Sequence, residues 1–137
     1  MASDQISSLG AWVDELLNTV FFQPDNDLSS RAIHEKFSSD LKVRINGVPI
    51  SFEEYEKAIA ATRAQNHLSI QCNRELLSTR DSDVDAAEGS VAHLANFTLK
   101  DKHNGQERAE TTVTLATVKT VDGRRVLSEL TEVHRSA

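Results

Sequence analysis

The stretch that decides the fold covers residues 41–67 and reads LKVRINGVPISFEEYEKAIAATRAQNH. Its first residues alternate between apolar and polar side chains, as they do in a strand with one dry face and one wet face. Asn46 and Gly47 follow, and both residue types tolerate the positive φ of a tight turn. The stretch therefore predicts a short strand that leads almost directly into a helix.

The start of that helix is specified by several signals at once. Ser51 and Glu54 have the spacing of a capping box, in which each side chain bonds the backbone N–H of the other residue. Ile50 and Tyr55 occupy the two positions of a hydrophobic staple around this cap. The pattern predicts a helix that begins directly after Ser51.

Two more helices are predicted before this stretch. The first carries an apolar stripe at helical spacing and ends at Pro24. Its stripe consists of Ile6, Leu9, Val13, Leu16, Leu17, Val20 and Phe21. A short second helix follows, with Ser29 or Ser30 as its expected cap.

The second half of the chain has the alternation of β-structure. Turn signals at Asp81–Asp83, Asn104–Gly105 and Asp122–Gly123 divide it into four strands, at about 68–79, 87–101, 107–121 and 124–135. Because the connections are short, these strands are expected to form antiparallel hairpins.

Two-residue turns would fix the register of the last three strands. They would pair His103 with Gln106 and Val121 with Arg124. One sheet face then carries Ala92, Leu94, Asn96, Thr98, Val113, Leu115, Thr117, Val126, Ser128, Leu130 and Glu132, and the other carries His93, Ala95, Phe97, Leu99, Thr112, Thr114, Ala116, Val118, Leu127, Glu129, Thr131 and Val133. Neither face is fully polar, so we expect helices to cover one face and a second copy of the chain to cover the other. A single β-bulge would exchange the faces.

The composition limits the partners that the chain can have. The 137 residues are 39% hydrophobic and 26% charged, with a net charge of −6. We therefore expect one domain over residues 1–137, no binding to nucleic acid and no membrane association, because phosphates would be repelled. Cys72 is the single cysteine, and no signal peptide is apparent, which favours a reducing, cytoplasmic location.

The order of elements resembles that of the SnoaL-like, or nuclear-transport-factor-two-like, superfamily. The residues most similar to the family are VRINGVPISFEEY at 43–55 and VDGRRVLSELTEV at 121–133. The resemblance implies an α+β fold in which a strongly curved, mixed or antiparallel sheet wraps around three N-terminal helices to form a cone with an apolar pocket. It also implies a short strand at the rim of the sheet, a homodimer through the convex face, and activity without a metal or an organic cofactor.

The same resemblance directs attention to the last strand. It implies that Val126, Ser128, Leu130 and Glu132 face the interior of the cone, and the predicted register adds Asn96 and Leu115 to that face. A carboxylate in an apolar cone has a raised pKa, so Glu132 is a candidate general acid or base. The alternative is that Glu132 faces water at the end of its strand.

Histidines provide the other candidates. Several family enzymes place an active-site histidine near the end of the third helix and pair it with an aspartate from the first helical region. The resemblance thus selects His67, although Asp25 and Asp40 are weak partners for it. His93 and Glu129 lie on the other face, where a dimer interface is the competing explanation.

The sequence therefore favours an isomerase, cyclase or dehydratase that acts on a small, largely apolar molecule. Glu132 or His67 would be the catalytic residues, and the substrate would contact Trp12, Tyr55, Asn96, Leu115, Ser128 and Leu130. Core packing is the alternative role of Trp12 and Tyr55. No residues have metal-site spacing. The alternative function is a non-catalytic ligand-binding or dimerisation module, which a cone filled by Leu and Phe would favour.

Overall fold

The computed structural model describes residues 8–79 and 88–136. The helices are α1 (Leu9–Leu17), which continues into a π-helical turn (Asn18–Phe22), then α2 (Asn26–Lys36) and α3 (Phe52–Gln65). The strands are β1 (Phe37–Ile45), β2 (Val48–Ile50), β3 (Asn66–Ser78), β4 (Gly89–Asp101), β5 (Glu107–Val121) and β6 (Arg124–Ser136). Ile6 and the expected Asp81–Asp83 turn lie outside the described residues.

Side chains cap all three helices. The capping box of α3 is present as predicted, with Ser51 and Glu54 exchanging two bonds of 3.0 Å. The cap of α2 is Asp25 rather than Ser29 or Ser30, because the Asp25 carboxylate accepts the backbone N–H groups of the first turn. Ser29 lies inside the helix instead, and its hydroxyl donates to the carbonyl of Val20 at 2.7 Å.

The sheet has six strands in the order β2-β1-β6-β5-β4-β3. β1 pairs in parallel with β6, and all other neighbours are antiparallel. The short strand predicted around residues 41–45 is in fact nine residues long and lies between β2 and β6. The expected position of that strand at the rim was therefore wrong, since the three-residue β2 forms the edge.

The β4–β5 connection is longer than the predicted two-residue turn. Asp101 N–H donates to the Gln106 carbonyl at 2.9 Å, and Lys100 pairs with Glu107. The register is thus shifted by two residues from the predicted pairing of His103 with Gln106. A shift of two keeps each side chain of β4 and β5 on its predicted face.

The β5–β6 hairpin follows the prediction at first and then departs from it. Its turn has positive φ at both Asp122 (52°) and Gly123 (77°), and Val121 pairs with Arg124 as expected. The register then shifts, because Ser128 is an extra residue opposite the Thr117–Val118 step. This β-bulge exchanges the two faces of β6 for every residue beyond it.

The concave face of the sheet packs against the helices. We use this term for the inward side chains of the last three strands: His93, Ala95, Phe97, Leu99, Glu110, Thr112, Thr114, Ala116, Val118, Leu130, Glu132 and His134. The opposite side is called the convex face. The open sheet and three helices form the predicted cone-like α+β fold. Among the described residues, no helix has the length and apolarity to cross a membrane.

Burial of the α1 stripe holds the helix in the cone. Leu9, Val13 and Val20 have no measurable exposure. Each such side chain contributes roughly 1.5–3 kcal/mol relative to an exposed one. The packing fixes the orientation of α1 and therefore decides which of its polar side chains reach the sheet.

Candidate active site

A cavity of about 520 Å³ lies between the concave face, α3 and the end of the first helical region. Pockets of roughly 300–1,000 Å³ commonly hold small-molecule ligands. The residues lining it include Leu17, Phe21, Phe22, Ile45, Ile50, Tyr55, Ile59, Leu68, His93, Ala95, Phe97, Leu99, Arg108, Glu110, Thr112, Thr114, Glu132 and His134.

The cavity has an apolar wall and a polar wall. Leu68, Leu99 and Phe97 form the apolar wall on β3 and β4, and Phe22 packs edge-on against Phe97 with ring centroids 5.3 Å apart. His93 of β4 joins the threonines, carboxylates, Arg108 and His134 of β5 and β6 in the polar wall. The cavity is therefore shaped for a molecule that has a hydrocarbon side and a few oxygen atoms.

A histidine and an aspartate meet at one end of the polar wall. His93 Nε2 lies 3.1 Å from Asp14 Oδ1, although the residues are 79 positions apart. The His93 side chain is 1% exposed, whereas the Asp14 side chain is 43% exposed. The carboxylate can thus remain solvated while it orients a ring that is buried beside the cavity.

Glu132 lies on the same wall, two strands away. His93 pairs with Thr114 on β5, and Thr114 pairs with Glu132 on β6. At the usual strand spacing, the backbones of His93 and Glu132 are roughly 10 Å apart. Both side chains line the cavity, so one small molecule has access to both.

The surroundings of Glu132 favour its protonated form. Burial raises the pKa of Glu132, and His134 opposes this effect while Glu110 adds to it. His134 Nδ1 is 3.3 Å from Glu132 Oε2, which is an ion-pair distance, and Nδ1 has no hydrogen bond among the described residues. We therefore regard the pair as a weak electrostatic contact that leaves the carboxyl free to meet a ligand.

Tyr55 presents a phenol that has no protein partner. Its ring stacks on Phe37 at a centroid distance of 6.2 Å, and its hydroxyl is buried without a hydrogen-bond partner among the described residues. Burial raises the pKa of Tyr55 well above its usual value, and the charge of Glu132 adds to this effect. The phenol is thus a neutral donor that lines the cavity.

Glu110 is the second carboxylate of the polar wall and is 7% exposed. Its Oε2 atom lies 3.2 Å from Arg108 Nε and also accepts the hydroxyl of Ser136. These bonds satisfy Glu110 within the protein. Its contribution to the site is therefore electrostatic, through the pKa of Glu132.

The structure separates the residues that the sequence grouped together. Glu132 and Tyr55 line the cavity, whereas Leu130 is fully buried in the core. Trp12 is also a core residue, 3% exposed, with its indole Nε1 unpartnered among the described residues. His67 is exposed at the start of β3 and lines a different, smaller cavity.

The bulge at Ser128 accounts for the remaining differences. Ser128 is the extra residue of the bulge, and its hydroxyl donates to the Thr117 carbonyl at 3.2 Å. Asn96 and Leu115, placed in the pocket by an unbulged register, lie on the convex face. The Asn96 side-chain oxygen accepts the Thr111 hydroxyl at 2.7 Å, and Leu115 is 52% exposed. Neither residue lines the cavity.

Asp14 is the site residue that the sequence reasoning missed. A signal for it was present, because Asp14, Leu17 and Phe21 are spaced three and four apart and share one face of the helical region. Leu17 and Phe21 line the cavity, so an acid in line with them points toward the same end. Within residues 8–79 and 88–136, no three His, Cys, Asp or Glu side chains are grouped as a metal site requires.

No protein-family model matches the chain, and no curated protein matches its sequence. Its fold is similar to that of a conserved protein from Planctomyces limnophilus, with a TM-score of 0.72 at 10% identity over 94% of this chain and 96% of that one. A ketosteroid isomerase-like protein from Erwinia carotovora atroseptica gives a TM-score of 0.65 at 13% identity, with both chains fully covered.

A hexachlorocyclohexane dehydrochlorinase, LinA type 2, gives a TM-score of 0.52 at 13% identity over 92% of this chain and 82% of that one. At these identities, the likenesses show the fold alone. They agree with the cone-like α+β fold of the six-stranded sheet and the three helices.

Proposed function

We propose that the chain is an enzyme that transfers a proton within a small, largely apolar molecule, as an isomerase, cyclase or dehydratase does. The observation that carries this proposal is the buried His93, held by Asp14 at 3.1 Å and facing a cavity with Glu132 on the same wall. A base and an acid on one wall are what such reactions require.

The Asp14–His93 pair supplies the base. When Nε2–H of the imidazole donates to the Asp14 carboxylate, Nδ1 keeps its lone pair and can accept a proton from the substrate. The carboxylate fixes this tautomer and the orientation of the ring. His93 takes the role that the sequence assigned to His67, and Asp14 takes the role for which Asp25 and Asp40 were weak candidates.

Glu132 and Tyr55 supply the acid and a hydrogen-bond donor. The raised pKa of Glu132 increases its protonated share near neutral pH, and the phenol of Tyr55 is an unused donor. In a dehydration, His93 would remove a proton from carbon. The C–H electron pair would form the double bond, and the hydroxyl on the neighbouring carbon would leave as water after accepting the Glu132 proton.

Transfer of hydrogen between carbon and solvent gives a direct test. The purified protein would be incubated in D₂O with a small-molecule extract of its source cells, and the products would be analysed by mass spectrometry. An isomerase or cyclase that returns a proton to carbon would add one deuterium to at least one compound, because the proton on His93 exchanges with solvent, and a dehydratase would give a product lighter by one water molecule. The His93→Gln variant would lose this label.

The matched control is His103→Gln, which makes the same change at an exposed turn residue outside the cavity. It should keep full activity. Binding of a compound by the wild type with neither deuterium transfer nor loss of water would favour the non-catalytic ligand-binding function, which the large apolar wall also supports. Equal labelling by wild type and His93→Gln would remove His93 from the mechanism.

We also propose that a second copy of the chain covers the convex face. Two adjacent rows on β4, β5 and β6, Ala92–Leu115–Thr131 and Leu94–Val113–Val133, are uncharged; on β3 Leu77 continues the first row and Arg74 borders the second. Leu77, Leu115 and Val133 are 70%, 52% and 61% exposed, and an apolar patch is complementary to itself. Native mass spectrometry should give a dimer for the wild type and a monomer for Leu115→Asp, and a monomeric wild type would contradict the proposal.

A further inference from the structure

A second, smaller cavity of about 160 Å³ adjoins the first. We call it the annex; its own polar lining residues are Gln23, Asn26, Arg63, His67 and Lys102. The two cavities share Phe21, Phe22, Asn66 and Leu68 as lining residues. The two cavities are therefore adjacent, with these four side chains between them.

The annex is basic in a chain that is acidic overall. Arg63, Lys102 and His67 line it, and no carboxylate is among its described lining residues. The net charge of the chain is −6, so a cluster of basic side chains is not expected from the composition alone. The Lys102 ammonium donates to the Arg63 carbonyl at 3.1 Å, which draws it toward the protein.

Arg63 is built into the floor of the annex and is 6% exposed. Its guanidinium donates to the Val20 carbonyl at 3.0 Å, the Gln23 carbonyl at 2.8 Å and the Asn26 side chain at 2.9 Å. These bonds use neutral acceptors, and burial lowers its pKa while the charge of Asp25 opposes this. The positive charge of Arg63 thus has no carboxylate in hydrogen-bond contact among these partners.

Charge distribution gives the direction in which an amphiphilic ligand would lie. In the large cavity Arg108 is paired with Glu110, and Glu132 repels an anion when it is ionised. In the annex an anion would meet Arg63 and Lys102 instead. An anionic group is therefore favoured in the annex, and hydrocarbon is favoured against Phe22, Leu68 and Phe97.

We infer that the annex binds the anionic head group, a carboxylate or a phosphate, of a ligand whose hydrocarbon part occupies the large cavity. The inference rests on the proposed function, because it requires the cavity to hold an apolar ligand. Leu68, which lines the annex, pairs with Leu99, six residues from His93 along β4. At about 3.3 Å per residue, the hydrocarbon would span roughly 20 Å from Leu68 to reach the Asp14–His93 pair.

Isothermal titration calorimetry with three ten-carbon probes tests the inference. Decanoate and decyl phosphate carry the two candidate head groups, and decanol has the same chain without a charge. We expect the anions to bind about tenfold more tightly than decanol, since a charge-assisted hydrogen bond is worth about that factor. The difference between decanoate and decyl phosphate identifies the preferred head group.

Lys102→Met removes one charge from the annex and keeps the apolar stem. This variant should lose most of the preference for the anions and bind decanol as the wild type does. Lys100→Met is the matched control, because Lys100 is exposed two residues before Lys102 and lines neither cavity. It makes the same change in net charge and should keep the preference. Lys102→Gln gives a second variant if Lys102→Met does not fold.

The outcomes separate the inference from the proposed function. Equal binding of decanol and the anions, or an unchanged preference in both Lys102 variants, would overturn the head-group site and leave the apolar ligand in place. Failure of all three probes to bind would overturn the proposed ligand cavity and the inference together. A preference that both Lys100→Met and Lys102→Met reduce equally would also overturn the site, because it would reflect net charge.

Discussion

Tyr55→Phe should make the empty protein more stable while it weakens the function. The hydroxyl of Tyr55 is buried without a partner among the described residues, and the residue is 5% exposed. A buried, unpaired hydroxyl costs about 1–3 kcal/mol, and phenylalanine has the same ring without that group. We expect the free energy of unfolding to rise by about 1 kcal/mol and the melting temperature to rise by roughly 4 °C.

Thermal and urea unfolding of the ligand-free protein would measure this change. Tyr55→Ala is the comparison, because it also removes the ring that stacks on Phe37. It should lower the free energy of unfolding by roughly 3–5 kcal/mol, as aromatic truncations in cores do. In the D₂O assay, Tyr55→Phe should reduce labelling about tenfold through the loss of one hydrogen bond to substrate.

A Tyr55→Phe variant that unfolds more easily than the wild type would refute this reasoning. It would mean that the hydroxyl has a bond within the folded protein that stabilises it. An unchanged rate of labelling together with increased stability would show that the buried hydroxyl lowers the stability of the folded protein and does not contact the substrate.

Two further predictions concern single side chains. The pKa of Glu132 is raised in the folded state from its usual 4.5, so its contribution to stability is complete below that pH and declines as the pH rises through the raised value. The gain in melting temperature from Glu132→Gln should therefore be larger at pH 7 than at pH 4, and an equal gain at both would contradict the raised pKa. Ser51→Ala removes half of the α3 capping box and should lower the free energy of unfolding by about 1 kcal/mol in urea titrations. No loss would show that Glu54 alone maintains the cap.

The sequence predicted the local features, such as caps and turns, that are formed by residues close together in the chain. The capping box of Ser51 and Glu54 and the Asp122–Gly123 turn were predicted and are present. These features depend on residues within four positions of one another, so a short segment of the sequence contains all the residues that form them. The order of helices and strands followed from the same kind of signal.

The candidate site depends on contacts between residues that are far apart in the sequence. Asp14 and His93 are 79 residues apart, and their meeting requires α1 to lie across β4. The pocket residues of β6 depended on the bulge at Ser128, for which the alternating pattern gives no sign, since a serine fits a regular strand equally well. Asn96 and Leu115 were consequently expected in the cavity and lie on the other side of the sheet.

The bulge at Ser128 also decides which side chains of β6 line the cavity. If Ser128 paired directly with Thr117, the strand would alternate regularly, so Glu132 and His134 would turn outward and Thr131 and Val133 would face inside. The bulge at one residue therefore decides whether Glu132 lines the cavity or lies on the convex face. A change of pairing in β6 can thus exchange the polar lining of this cavity for an apolar one without the substitution of any side chain.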